Sequence, residues 1–250
     1  MPRFFRVLPV TLAALLFTSG VHAQAPAAAQ PTVDDIVAKN LKAKGGAEKL
    51  KSMQTMQMSG KATLQGMDVS MRIYSKRPNM TRQEVKLQDK TIVSAYDGST
   101  AWWINPLAGV DQAQELSGAQ ADSLKDQADF DGVLTDYKAK GNTVELVGTE
   151  NIEGRKAYHL KVTKKSGQVQ HYFLDADSGI DLRVQTTLEQ GGQQMSITSD
   201  LSNYQEVSGV MVPFSMKQSM NGMPLMQMTI EKVEFNVPME DSLFKMPAKK

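Results

Sequence analysis

KRPNMTRQEVKLQDKTIVSAYDGSTAWWINP, residues 76–106, holds three short runs rich in strand-forming side chains: Met80–Leu87, Thr91–Tyr96 and Thr100–Asn105. Turn residues separate them. Arg77-Pro78-Asn79 precedes the first run, Gln88-Asp89-Lys90 the second, and Asp97-Gly98 the third. Asp-Gly between two β-rich runs predicts a hairpin with a two-residue primed turn, because such a turn needs positive φ. Pro78 fixes its own φ and disfavours helix at the residue before it, so Arg77 is presented from an extended strand end.

The same period of two extends on both sides. Upstream, Met56, Met58, Ala62 and Leu64 alternate with polar residues, then Met67, Val69, Met71 and Ile73 repeat the pattern after Gln65-Gly66. This is the signature of half-buried antiparallel strands. Downstream, Val144–Ile152, Lys156–Lys164, Gln168–Asp175, Leu182–Gln190, Gln193–Tyr204, Val212–Met220 and Leu225–Phe235 are divided by Gly, Asp, Asn and Ser turns. Short connections predict sequential pairing in a meander of about 11–12 strands. A sheet of that size curls rather than staying flat.

Two stretches break the strand pattern. Thr32 is placed to N-cap a helix whose first turn holds Asp34 and Asp35 and whose apolar stripe is Val33, Ile36, Val37 and Leu41. Gly45-Gly46 stops it, and Ala47–Met53 makes a second short turn. Between the strand runs, Asp111–Gly118 reads as loop. Ala119–Phe130 has Ala121, Leu124 and Ala128 at helical spacing, and Val133, Leu134 and Tyr137 extend a second short helix to Gly141. Helices inserted between strands are expected to cover the sheet.

Met1–Ala23 has the form of a secretory signal peptide: Arg3 and Arg6, an apolar run Val7–Phe17 too short to span a bilayer, then Val21-His22-Ala23. Residues 24–31 form an Ala/Pro linker, and residues 32–250 are expected to make one domain. Losing Arg3 and Arg6 from the 28 basic residues leaves 26 against 27 acidic ones, a balance unlike that of a nucleic-acid binder. The chain has no cysteine, which removes disulfides, thiolate nucleophiles and lipid attachment at a cysteine. The expected compartment is the bacterial periplasm.

No G-x-S-x-G, H-E-x-x-H or S-x-x-K motif is present, and no cofactor is implied. His159 and His171 lie on two arms of one predicted hairpin and lack a clear third metal ligand. Asp175-Ala176-Asp177-Ser178-Gly179 suits a turn better than a calcium loop, since the later acidic ligands are missing. Methionine is the unusual signal. Fifteen of the 16 follow Met1, most of them on strands. Unbranched thioethers re-pack around irregular partners, as a surface for flexible acyl chains must. The residues expected to line such a cavity are Met56, Met58, Met71, Ile73, Trp102, Leu124, Phe214, Met216, Met226 and Met228. Any one of these methionines read alone is an ordinary core residue.

Lys76-Arg77-Pro78-Asn79, Asp97-Gly98, Thr100, Trp102 and Asn105-Pro106 resemble, in order and spacing, the N-terminal half of the LolA family of periplasmic lipoprotein carriers. Gly209-Val210-Met211-Val212-Pro213 is similar to a late-strand turn of the same family. The resemblance implies an α+β half-barrel, mainly antiparallel β, closed by helical lid elements at 33–53 and 119–140. It also implies a non-enzymatic, monomeric carrier of lipid or lipoprotein acyl chains, working between membrane-bound donor and acceptor proteins. In that family the arginine of R-P-N hydrogen-bonds the lid, which here is Arg77, aimed by Pro78. The aromatics that follow R-P-N in the family are replaced by Met80-Thr81-Arg82-Gln83, so Arg82 is a second candidate. Exposed strand-end charge is the plain alternative for both arginines. A functional alternative is an envelope sensor of the same fold that regulates a membrane partner.

Overall fold

The computed structural model describes residues 30–64, 66–190 and 193–248. The expected signal peptide, and the expected linker up to residue 29, lie outside the described residues. The first helix, α1 (Val33–Ala43), begins where the capping chemistry predicts. The Asp35 N–H donates to Thr32 Oγ1 at 3.2 Å, and the Thr32 N–H donates to Asp35 Oδ2 at 3.0 Å. Helix α2 (Ala47–Ser52) follows after Gly45-Gly46. Gly45 has φ +120°, and a Cβ there would lie 2.2 Å from the Gly209 carbonyl oxygen. Gly45→Ala is therefore expected to lower stability by more than about 1 kcal/mol, measured by urea denaturation.

Alternating side chains build a single 13-stranded antiparallel sheet. The chain first lays down β1 (Thr55–Leu64), β2 (Met67–Lys76), β3 (Met80–Leu87), β4 (Lys90–Tyr96), β5 (Ala101–Asn105) and β6 (Val110–Glu115). It crosses by α3 (Gly118–Gln127) and a turn-rich segment, residues 128–141. It then returns through β7 (Thr143–Ile152), β8 (Arg155–Thr163), β9 (Val169–Asp175), β10 (Asp181–Gln190), β11 (Gln193–Val207), β12 (Val210–Met220) and β13 (Met223–Phe235). Strand β13 pairs with β1, and β6 and β7 are the two free edges, so the sheet stays open. The segment between those edges has to pass over one face of the sheet.

Three sequence expectations change here. Residues 110–115, expected as loop, form β6, because an edge strand needs only backbone pairing: Trp102 sits opposite Glu115 and Trp103 opposite Gln114. Residues 131–141 form turns rather than a second helix, with Gly132, Asp136 and Gly141 all at positive φ. The Asp97-Gly98 hairpin turns about Gly98-Ser99 rather than Asp97-Gly98: the Asp97 N–H donates to the Thr100 carbonyl at 3.2 Å, and only Gly98 has positive φ. Asp97 Oδ1 accepts the Ser99 N–H at 2.9 Å and the Thr100 N–H at 2.7 Å, an Asx turn.

One face of the sheet carries the helical layer and three apolar clusters. Ile36 and Val37 of α1, with Val133 and Leu134, pack on Leu160, Val162 and Leu174. Ala121, Leu124 and Ala128 pack on Tyr96 and Ala101. In the centre Met53 joins Ala62, Val69, Val210, Val212, Phe214, Met228, Ile230 and Val233. Helix α1 is fixed by polar contacts as well. Fully buried Asn40 donates through Nδ2 to the Gly179 carbonyl at 2.8 Å and to Asp181 Oδ1 at 3.0 Å, and Lys44 Nζ lies 2.5 Å from Asp181 Oδ2.

Candidate functional site

Arg77, at the end of the turn-facing side of β2, reaches into the helical layer. Its Nη1 and Nη2 donate to the two carboxylate oxygens of Asp131, both at 2.6 Å. Its Nε donates to the Met53 carbonyl at 2.6 Å and Nη2 to the Leu50 carbonyl at 3.1 Å, at the C-terminal end of α2. The guanidinium lies 4.7 Å from the centre of the Phe130 ring. One planar fork thus joins the sheet, α2 and the 128–141 segment, which a lysine could not match bidentately. The hydrogen bond to Asp131 holds Arg77 firmly charged and depresses the Asp131 carboxyl below its ordinary 3.8, against the opposing effect of burial. Pro78 stands in the β2–β3 turn, and its bond with Arg77 is cis. Asp131 had no signal of its own in the sequence, where it is one of several acids between 122 and 136.

Arg82 faces the other way. Its Nε donates to Glu84 Oε1 at 2.8 Å and its Nη1 to the Leu243 carbonyl at 3.1 Å, over the Trp102 ring. It grips the C-terminal segment, so it is not a lid contact. Trp102, expected to line the cavity, lies on that other face as well. Cross-strand partners place Trp102, Ala95 and Arg82 on the face away from the helices. Trp103, Ser94, Gln83, Ile73 and Met58 share the helix-covered face. Trp102 is fully buried with Val93, Ala95 and Ala113, and its Nε1–H donates to the Phe244 carbonyl at 2.7 Å.

Of the other predicted lining residues, Phe214 and Met228 are buried in the central cluster, and Met56, Met58, Met71, Met216 and Met226 pack half-buried against it. Ile73 is half-buried opposite Met58. Leu124 is separate, packed under α3 against Tyr96 and Ala101. The space beneath the helices is partly taken by side chains of the segments that cover it: Leu50, Met53 and Phe130 pack into the central cluster. Among the described residues, clefts lie elsewhere. One of about 370 Å³ is under the C-terminal segment beside Gln57 and Tyr74. One of about 620 Å³ runs past Lys61, Thr63, Asp68 and Lys86. One of about 210 Å³ lies among Lys125, Asp129, Lys140 and Lys164. The Met67 and Met223 side chains are exposed at the ends of the β1–β2 and β12–β13 hairpins.

The two histidines are brought together. His159 Nε2 and His171 Nδ1 are 2.7 Å apart on neighbouring strands, on the face away from the helices. They are less exposed than a surface pair, and burial, then the His159 charge, lowers the proton affinity of His171. Asp175 Oδ1 accepts the N–H groups of Asp177 and Ser178, confirming a turn there. No helix among the described residues is long and apolar enough to cross a membrane.

No protein-family model matches the sequence, and no curated protein matches it. Solved structures do match. A DUF1329 family protein from Desulfovibrio piger superposes with TM-score 0.59 at 14% identity, covering 85% of this chain and 97% of that one. A LolA superfamily protein from Nitrosomonas europaea gives TM-score 0.57 at 14% identity, covering 86% and 98%. A putative outer membrane lipoprotein-sorting protein domain from Vibrio parahaemolyticus gives 0.54 at 13%, covering 83% and 97%. The superpositions extend over nearly the full length of those structures, and the chain, with its open antiparallel sheet, has a LolA-like fold.

Proposed function

We propose that this protein is an exported, periplasmic carrier that shields acyl chains of lipids or lipoproteins against the methionine-rich, helix-covered face of its sheet. The observation that carries this reading is the row of half-buried, conformationally soft side chains around Met58, Met71, Met216 and Met226, roofed by a layer that one arginine fastens. Leu50, Met53 and Phe130 occupy the central face in the closed form. Cargo takes their place when the Arg77–Asp131 contact opens, and the exposed methionines at the hairpin ends mark the rim by which chains enter. Each buried CH₂ contributes about 0.8 kcal/mol, so a chain of modest length binds without a charged anchor.

The test is mass spectrometry of lipid recovered with protein purified from cell envelope, alongside titration with a fluorescent hydrophobic probe displaced by fatty acid. Met58→Asp is expected to weaken probe binding by about tenfold or more, since a carboxylate on the wall is desolvated by the chain lying over it. Protein that carries no lipid and binds no probe would end the proposal. Capture of one stoichiometric protein partner without lipid would favour the sensor reading instead.

A further inference from the structure

We infer that the β1–β2, β5–β6 and β12–β13 hairpin turns, at one end of the sheet, form a rim that docks on the surface of a lipid bilayer through Met67, Leu107 and Met223. The inference goes beyond the carrier reading, since docking needs these three side chains and none of the cluster beneath the helices.

The two ends of the sheet differ. At one end the helices are tied to the turns. Arg77, beside the β2–β3 turn, donates to the Leu50 and Met53 carbonyls. Asn40 donates to the Gly179 carbonyl in the β9–β10 turn, and the Met211 N–H, next to the β11–β12 turn, donates to the Lys44 carbonyl at 3.1 Å. Because neighbouring strands are antiparallel, the β1–β2, β5–β6 and β12–β13 turns fall at the opposite end. Four large apolar side chains stand exposed among the described residues, and three of them are there: Met67 is 46% exposed, Leu107 50% and Met223 70%. One such side chain alone is ordinary, but three gathered at one end mark an interaction site.

The chemistry of these turns identifies the partner. Ala62–Met67, Gly98–Val110 and Gln218–Ile230 contain no Asp, Glu, Lys or Arg, in a chain of which 22% is charged. Around them Asp68, Lys86, Asp89 and Lys90 bring two charges of each sign to the same end, so no net field selects an anionic partner. Strands about 4.8 Å apart put the β1–β2 and β12–β13 turns roughly 10 Å apart along the sheet, with β5–β6 about 19 Å further on. Apolar points spread so far do not make the contiguous core of a protein interface. Single side chains that each sink into the interfacial zone suit a fluid surface, and unbranched methionine adapts to one. The rim also continues inward. Leu64 is paired with Met67 on one side and Met226 on the other, and the same face runs on through Ala62 and Met228 to Met58. For the carrier proposed above, a chain leaving the bilayer at this rim meets apolar side chains all the way to the covered centre.

The experiment is co-flotation of protein purified from cell envelope with vesicles of phosphatidylcholine alone, and of phosphatidylcholine mixed with phosphatidylglycerol. Binding to both is expected, and it should persist when salt is raised to about 1 M, where screening acts within roughly 3 Å. The double variant Met67→Gln/Met223→Gln keeps side-chain length and net charge at two exposed positions. Its urea midpoint should match the parent, while vesicle binding falls at least about tenfold. The apolar run at residues 7–17, where present, is common to parent and variant, so binding by that run would survive the substitutions. Absence of binding to either vesicle, binding unchanged in the double variant, or binding that needs phosphatidylglycerol and is lost in salt would overturn the rim. So would a parent that ignores vesicles and forms dimers that the double variant does not, since a second copy would then be the occupant. Rim-dependent vesicle binding by protein that carries no lipid and binds no probe would uphold this inference while ending the carrier.

Discussion

Arg77→Ala is expected to lower the stability of the folded chain by about 3 kcal/mol and to release the roof over the methionine face. Removal leaves the Asp131 carboxylate without its partner and the Leu50 and Met53 carbonyls each without a donor. Such losses reach about 3–5 kcal/mol for a fully buried pair, and the lower end applies because about a fifth of each side chain still meets water. Arg77→Lys keeps the charge but not the fork, so its cost should be nearer 1–1.5 kcal/mol, the worth of a lost hydrogen bond. Hydrogen exchange offers the sharper readout. Amides of α2 and of residues 128–141 should exchange faster in Arg77→Ala, while those of β8 and β9 should change only with global stability. Uniform acceleration across the whole chain would show that Arg77 supports the fold generally and fastens nothing in particular.

The same contact predicts an acid response. Arg77 holds the Asp131 carboxyl below 3.8 in the folded state, so the pair stabilises the fold at pH values above 3.8. That contribution is lost as pH falls from there through the depressed folded value. The stability gap between the parent and Asp131→Asn should therefore be constant near neutrality and narrow below pH 3.8. Urea titrations at a series of pH values measure it. A gap that narrows already near neutral pH would assign the effect to another group.

Phe244→Ala carries the second large effect, about 3–4 kcal/mol, the usual cost of deleting a fully buried aromatic ring. Phe244 is 0% exposed, and its carbonyl accepts the Trp102 Nε1–H. The segment around it is held further by Arg82 on the Leu243 carbonyl and by Lys76 Nζ, 2.5 Å from the Met239 carbonyl and 2.6 Å from Asp241. The C-terminal residues thus act as the cover that the outer face of β3, β4 and β5 otherwise lacks. Tryptophan fluorescence should report loss of that cover, since Trp102 becomes solvated in the variant. An unchanged denaturation midpoint would mean that the segment only rests on the sheet.

The strands were legible because their apolar residues recur every second position. Met56, Met58 and Ala62, then Val69 and Met71, show one buried face without any tertiary information. The first helix was equally legible from Thr32, Asp35 and the Ile36–Val37 stripe, whose cap and docking face the structure reproduces. Strand β6 was not, because Val110–Glu115 has a single buried side chain, Ala113, and its identity comes from backbone pairing with β5. Among residues 131–141, helical spacing of Val133, Leu134 and Tyr137 gave the right buried residues but the wrong backbone. Positive φ at Gly132 and Asp136 bends the chain so that Val133 and Leu134 still reach β8 and β9.

The candidate site divides in the same way. Arg77 was singled out by the resemblance of its R-P-N segment, and the methionine row by alternation, but neither the acid that Arg77 meets nor the face that Trp102 takes could be read locally. Alternation says that Trp102 and Trp103 point apart. Which side is covered by helices, and which by a segment 142 residues further along, depends on how distant parts of the chain close over the sheet. By itself the sequence determined the period, the turns and the amphipathic helix, because these follow from side chains a few positions apart. Only the tertiary structure decided that Asp131 rather than its acidic neighbours meets Arg77, that Arg82 serves the C-terminal segment, and that His159 and His171 meet across neighbouring strands. Each of those depends on distances between residues far apart in the chain, which no local pattern encodes.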